Sequence, residues 1–484
     1  SWRTKRLLSV SPQKLSRRSF LASVSALWAS RAVDGMRSAR AGLPVLMVVP
    51  PQWLKEAHDV IRAIRIPTFP NRVVRLSPEG GNERERIQSA IDTLSARGGG
   101  RVSLAPGDWY IAGPIRLRSK INLHLEQGAQ ITFSGARADY LPVVHTRWEG
   151  TELYGYSPCI YAYDVQDIAL TGKGSLRMAS GDTDSWRLEQ DPAQLKLRQM
   201  GGAGVPLSER VFGPGSFLRP SFIQFFKVNS ILVEGVKIGP IPFWGVHLVF
   251  SHHATIRGIH VESNQINNDG IDVDSSTDVL IEQCTFRTGD DCIAIKSGRD
   301  LDGRTAAAPS RNIVVRDCVM SYSRAAALAI GSEMSGGVQR VFFFRCDIGK
   351  VETAFNVKAN LDRGGYVEHI RVWNVQAREC NRLLQITTSY HGYRGGKFPP
   401  RFEDIEVDDM RAEKVKEGIA IRGVPESPIR KVRLKNINIR QAKIPSSVSY
   451  AEGLVCDAIE IQGQRLPSEC FLRRGASRKD PKNG

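Results

Sequence analysis

The chain has 484 residues, 41% of them hydrophobic, with a mean hydropathy of −0.25; this is ample for a large core and excludes a disordered chain. Its formal net charge of +17 gathers at the ends, since residues 1–40 hold nine Lys/Arg against one acid and residues 471–484 hold five against one. The body keeps about +5, which suits a polyanionic partner without demanding one, and no basic run interleaved with aromatics points to nucleic acid.

Near the start, Ser16-Arg17-Arg18-Ser19-Phe20-Leu21 leads into an apolar run from Phe20 to Ala29, followed by small residues. A charged segment before an apolar run too short to span a bilayer reads as an export signal. The paired arginines resemble the twin-arginine type. The expectation is a signal segment over 1–41, cleaved after Ala32 or Ala41, and a periplasmic or secreted protein with no membrane attachment once it is removed.

Residues 42–100 read as an N-terminal extension closed by a helix. Asn82 supplies a cap, Ile87, Ile91 and Leu94 follow at helical spacing, and Gly98-Gly99-Gly100 ends the run. Such a helix would cover the edge of a first strand.

From there a six-residue pattern recurs: apolar, any, apolar, any, polar or Gly, apolar. It appears at Ile231–Val236, Ala254–Ile259, Val279–Cys284, Ile313–Cys318, Val341–Cys346, Ile370–Val375, Ile405–Met410 and Val432–Ile437. The starts are separated by 23, 25, 34, 28, 29, 35 and 27 residues. A second apolar alternation (Val246-Leu248, Ile271-Val273, Ile293-Ile295, Leu328-Ile330, Phe355-Val357, Leu384-Ile386, Ile419-Ile421) begins 14 to 17 residues after each partner. Alternation of this kind means strands with one face in and one out. Two strands at constant phase over eight coils predict an all-β chain, a single-stranded parallel β-helix over 101–470 with a disordered basic tail over 471–484. Hairpin turn signals for a sandwich are missing.

The eight cysteines bear on the same pattern. Cys284, Cys318 and Cys346 share one inward phase and read as buried free thiols. Cys456 and Cys470 are the pair expected to bond.

Asn268-Asp269-Gly270 and Gly289-Asp290-Asp291 are good turn chemistry, and surface turns would be the plain reading. Register argues for more. Aligning Asp269–Ser275 beneath Asp291–Ser297 sets Ile271 under Ile293, Val273 under Ile295 and Asp269 under Asp291. With strands about 4.8 Å apart, these two and Asp290 share one patch. Crowded carboxylates push one pKa upward, and one protonated beside one ionised carboxyl is what glycosidic cleavage requires. Calcium binding is the competing use of clustered Asp.

The segments Asn267–Asp272, Gly289–Gly298 and Ile330–Gly337, with Leu218–Phe225 and Pro242-Phe243-Trp244, resemble the polygalacturonases, glycoside hydrolase family 28. Asp139–Val143 and Tyr156-Ser157-Pro158 look more like its bacterial exo-acting members. The resemblance implies a right-handed parallel β-helix and inverting hydrolysis of α-linked galacturonan or a related pectic polysaccharide such as rhamnogalacturonan, with no metal or other cofactor. It implies Asp290 as general acid and Asp269 and Asp291 as holders and activators of water. Lys358 falls at the family's substrate-binding lysine; Asn268, Asn356 and Tyr390 are further candidates for substrate contact. Two features depart from the family. Arg324–Ala329 lacks the histidine expected before Ile330-Gly331-Ser332, and Asn356 and Ala359 replace an arginine and a threonine. Lys cannot reproduce a bidentate Arg contact, so carboxylate recognition is thinned. Two other readings stay open: a calcium-dependent pectate lyase, and a β-helix that binds pectic fragments without efficient cutting.

Overall fold

The structure is a computed structural model, and it describes residues 51–180, 182–391 and 395–466. The expected signal segment, the basic tail and Cys470 lie outside the described residues.

The chain winds as a right-handed parallel β-helix, each coil hydrogen-bonded to the next. Both strand columns expected from the sequence are present. The first contains Gln166–Gly172, Asn229–Glu234, His252–Arg257, Thr277–Glu282 and Ser310–Arg316. The other contains Ile160–Tyr163, Ile223–Phe226, Val246–Val249, Ile271–Asp274, Ile293–Lys296 and Ala326–Gly331. The repeat register is as aligned: Ile231 pairs with Ala254, then Val279, Ile313, Val341, Ile370, Ile405 and Val432. A further column stands between these two, and it includes Lys237–Ile238, His260–Ser263, Thr285–Thr288 and Val319–Ser323. Strands this short carry too little alternation to stand out in a sequence. From Val338 onward the columns merge into four continuous bent strands, Val338–Lys358, Tyr366–Thr387, Arg401–Arg422 and Ile429–Ser449.

The polar-or-Gly position of the repeat has a physical cause. Gly235, Gly258, Gln283, Asp317, Arg345, Asn374, Asp409 and Asn436 all have φ between +52° and +78°. The chain turns its corner there in the left-handed region, which Gly, Asn and Asp enter most readily. The next residue then points inward. Cys284, Cys318 and Cys346 do so, each 1% exposed and without a disulfide. Burial pushes the Cys284 and Cys318 thiols well up, so they are inert core groups.

The N-terminal end is more elaborate than the sequence suggested. A helix α1 (Leu54–Ala63) lies along the outside of the first column. Trp53, just before it, packs 5.8 Å from the Phe342 ring, and Glu56 meets Arg340 and His369 at 3.0 Å. The expected capping helix is α2 (Arg84–Ala96), which buries Ile87, Ile91 and Leu94 over the first coil. Asn82 Oδ1 accepts from the Arg84 and Ala112 backbone N–H groups at 3.1 and 3.0 Å. The β-helix begins earlier than residue 101, because Val73–Leu76 already pairs in parallel with Gly100–Leu104.

One lobe interrupts the coils. An antiparallel hairpin, Val144–Trp148 with Thr151–Gly155, packs with the helix Asp191–Gly202. Trp148, Leu153, Leu197, Phe212, Phe243 and Trp244 form its small core, separate from the main one.

Candidate active site

The site is built on the outward face of the column that contains Ile271–Asp274 and Ile293–Lys296. Along these strands Ile271, Val273, Ile293 and Ile295 fill the interior, so the residues between and before them face out. Asp269 and Asp291 occupy equivalent turn positions one coil apart, and the Gly270 N–H donates to the Asp291 carbonyl at 3.0 Å. Gly270 must be glycine: a Cβ there would lie 2.4 Å from the Cys292 carbonyl oxygen and 2.7 Å from the Phe286 ring. Thr288 and Ser323 hydroxyls pin the Asp290 carbonyl at 2.6 and 2.7 Å.

The three expected carboxylates come together. Asp269, Asp290 and Asp291 each offer an oxygen within 4.8 Å of the others. Asp269 and Asp291 are buried, and Asp290 is half-buried. Burial, then the neighbouring Asp272 and Asp290, push the Asp269 carboxyl well above its usual range. Burial and then Asp291 raise that of Asp290. The Asp290 carboxylate accepts from the Asp291 and Asn267 backbone N–H groups at 3.0 and 3.3 Å. Asp291 is held from both sides, Oδ1 by the Ala326 N–H at 2.8 Å and Oδ2 by Lys358 Nζ at 2.9 Å.

Lys358 is therefore part of the cluster. Burial alone would lower its pKa, but Asp291, Tyr390 and Asp290 outweigh it and hold the ammonium above the ordinary value. Its Nζ lies 5.2 Å from the centre of the Tyr390 ring, which is half-buried beside it. Asn356 lies one coil above Ala329 on the same face and accepts from Gln385 at 3.2 Å. Asn268 does not reach the face. It is fully buried, and its side chain is spent on Ser263, the Gln265 N–H and the Ile241 and Phe243 carbonyls, where it fastens the turn that presents Asp269. Adjacency in the motif was a poor guide here.

Several buried charges behind the carboxylates were not singled out from the sequence. Lys296 stands opposite Asp274 in register, 3.2 Å from Glu333 and 3.7 Å from Asp272, with the Trp244 ring centre 4.4 Å away. Burial would lower its pKa, yet Glu333, Asp272 and Asp269 hold it well above normal. Asp272 is buried with neither carboxylate oxygen hydrogen-bonded, and burial keeps its pKa well up. Arg219, from the Leu218–Phe225 segment, donates to Asn267 Oδ1 at 2.8 Å and to the Pro242 carbonyl at 2.9 Å. It thus braces the turn whose N–H reaches Asp290, and burial brings its pKa down to about 10. The alternation Ile271-Asp272-Val273-Asp274 already put Asp272 and Asp274 on the outward face that carries the carboxylates, which was the available signal.

Calcium fits this cluster poorly. The ion takes six to eight oxygen ligands, whereas the Asp291 oxygens are already engaged by an ammonium and a backbone N–H. The arrangement provides instead a group able to carry a proton beside groups able to accept one, the equipment of a glycosidase on a parallel β-helix.

The comparisons agree with that class. The sequence profile of glycosyl hydrolases family 28 matches residues 216–457. The chain is 35% identical to a hyperthermoactive exopolygalacturonase from Thermotoga maritima, with a TM-score of 0.81 over 86% of this chain and 97% of that one. It is 27% identical to a probable polygalacturonase of Vitis vinifera, covering 79% and 78% of the two chains. It is 23% identical to an endo-polygalacturonase of Pectobacterium parmentieri, covering 78% and 89%. The chain belongs to glycoside hydrolase family 28.

Proposed function

We propose that the protein hydrolyses the α-linked galacturonan of pectic polysaccharide, with Asp290 as general acid and Asp269 and Asp291 activating the attacking water. The observation that carries this reading is the trio of carboxylates within 4.8 Å on one outward face. Two of them, Asp269 and Asp290, are pushed upward, first by burial; Asp269 accordingly orients the water by hydrogen bonding, and the water's proton passes to Asp291. The raised Asp290 carboxyl retains a proton to give to the leaving oxygen. Asp291, fixed by Lys358 and the Ala326 N–H, is an acceptor whose direction cannot drift. Water attacks the anomeric carbon opposite the departing sugar, so configuration inverts. Inverting pairs ordinarily stand about 6.5–9.5 Å apart, and nearest oxygens within 4.8 Å are closer than that. Family membership, rather than spacing, is the ground for inversion.

Attack from a chain end is the mode we favour. The hairpin crosses the outward face next to the site, with Arg147 paired to Asp274 at 3.0 Å and Thr146 donating to Gln224 at 2.6 Å. A polymer entering past Lys358 meets this wall and cannot run through. The 35% identical relative is itself named an exopolygalacturonase. Lys358 pairs with a substrate carboxylate, and Tyr390 flanks it. Neutral Asn356 and Ala326 leave room for substituted pectins such as rhamnogalacturonan beside plain galacturonan. The Arg17-Arg18 segment supports export through a twin-arginine route.

Incubation with a panel of pectic polymers, products read by mass, tests the function. Saturated products one galacturonate long are expected. Unsaturated, ultraviolet-absorbing products would make the protein a lyase, and unaltered polymers would make it a binding protein.

A further inference from the structure

The outward face of the catalytic column continues beyond the hairpin, toward the N-terminal coils. There a cavity of about 460 Å³ is lined by Arg116, Arg118, His145, Tyr154, Tyr161 and Tyr163, among others. Its size lies within the range of small-ligand sites, about 300–1,000 Å³.

Register separates it from the carboxylates. Arg116 pairs with Tyr161, and Gln224, His247 and Asp272 follow in successive coils. Four strand steps at about 4.8 Å each put Arg116 roughly 19 Å from Asp272 along the helix. The strand Val144–Trp148 lies between. The Tyr161 hydroxyl donates to the His145 carbonyl at 2.5 Å, Thr146 reaches Gln224, and Arg147 reaches Asp274. Pocket and catalytic face are on opposite sides of one hairpin strand.

The lining has a definite chemistry. Two acids beside it are matched, Asp92 with Arg118 at 2.7 Å and Glu152 with His145 at 2.8 Å, while Asp164, next after Tyr163, is exposed. Arg116 has no carboxylate partner among the described residues, and its Nε is hidden from solvent with no hydrogen bond. Its backbone, by contrast, is tied on both sides to the Gln88 carboxamide, at 2.8 and 3.0 Å. Outside the lining, exposed Lys227 stands 5.9 Å from the Phe226 ring centre, and that ring stacks on Tyr163 at 5.3 Å. Tyr163 is 37% exposed. Tyrosines offer flat apolar faces with hydroxyl tips, which suit pyranose rings, and a free guanidinium matches a carboxylate in a fork.

We propose that this pocket is a second carbohydrate site, which takes a uronate unit of a pectic chain away from the bond being cut. The sugar's identity rests on the proposed function; the basic, tyrosine-lined chemistry does not. The site would hold long polymer at the enzyme surface and do nothing for a short substrate.

Calorimetric titration with a hexamer of galacturonate, in an Asp290→Asn background, should report two binding sites per chain. Arg116→Gln and Tyr163→Ser should each weaken one of them by about tenfold, as expected for losing one charge-assisted hydrogen bond or one ring contact. With Asp290 restored, both should raise KM on long polygalacturonate and leave kcat and KM on the dimer unchanged. A single site in the parent protein, or two variants that melt normally and bind as before, would overturn the proposal. Equal binding of a neutral galactan hexamer would overturn its uronate preference. If galacturonan is not cut at all while the variants still lose hexamer binding, the proposed function fails and this site stands. Normal cutting with unaltered binding fails the site alone.

Discussion

Two ladders run back to back on the same strands. Facing inward are Ile223, Val246, Ile271, Ile293, Leu328, Phe355, Leu384 and Ile419, none more than 1% exposed. One residue further along each strand, facing outward, are Gln224, His247, Asp272, Ala294, Ala329, Asn356, Gln385 and Ala420. The inner ladder is uniform because excluding water is all it has to do, and any close-packed aliphatic does that. The outer ladder changes chemistry at nearly every coil, because its steps have different neighbours: Gln224 accepts from Thr146 of the lobe, Asp272 lies beside Lys296, and Asn356 accepts from Gln385. Stability should therefore belong to one ladder and activity to the other, although a single four-residue strand supplies both.

The largest expected effect is on the outer side. Asp290→Asn should lower kcat by about 10² to 10⁴, the usual worth of a general acid. Its melting temperature should stay near that of wild type, because a neutral amide of the same size replaces a carboxyl that burial and Asp291 already hold toward its protonated form. A variant that melts early but turns over normally would abolish the distinction between the ladders. Next comes the inner side: Ile295→Ala should cost about 2–5 kcal/mol in denaturant unfolding. Its kcat at temperatures where it remains folded should match wild type. A large loss of kcat in the folded variant would mean that packing, not only the carboxylates, sets the chemistry.

The smallest effect sharpens the outer ladder from within. The Lys358 ammonium draws the Asp290 carboxyl downward against burial and Asp291. Lys358→Met removes that pull, so the Asp290 pKa should rise further. A general acid works while protonated and fails as pH climbs through its pKa. The alkaline limb of the rate profile should therefore move to higher pH, alongside a raised KM from the lost carboxylate contact. A limb that stays in place or moves downward would remove Lys358 from the proton chemistry.

How much of this was legible beforehand depended on periodicity. The pairings Ile271 with Ile293 and Val273 with Ile295 are those read from the repeat, because a one-residue slip would turn every side chain to the wrong face. The same phase aligned Asp269 with Asp291. What lacked period was missed: the two- to five-residue strands of the middle column, the outer helix α1, and the Val144–Gly155 hairpin whose Arg147 pairs with Asp274. Lys296 was visible only as the residue opposite Asp274, and its ties to Asp272 and Glu333 depend on Glu333, which lies 37 residues further along the chain. Asn268 failed for the opposite reason: it shares a motif with Asp269, yet the turn points its carboxamide inward.

The central claim is that water, held by Asp269 and Asp291, attacks directly while Asp290 protonates the leaving sugar. Proton NMR of the first turnovers on an α-linked galacturonate oligomer reads this without intermediaries. The β-anomer of the released galacturonate should appear first and convert to the α-anomer only at the rate of spontaneous mutarotation. Prompt appearance of the α-anomer would mean that a carboxylate bonds to the sugar before water does, and would contradict the account.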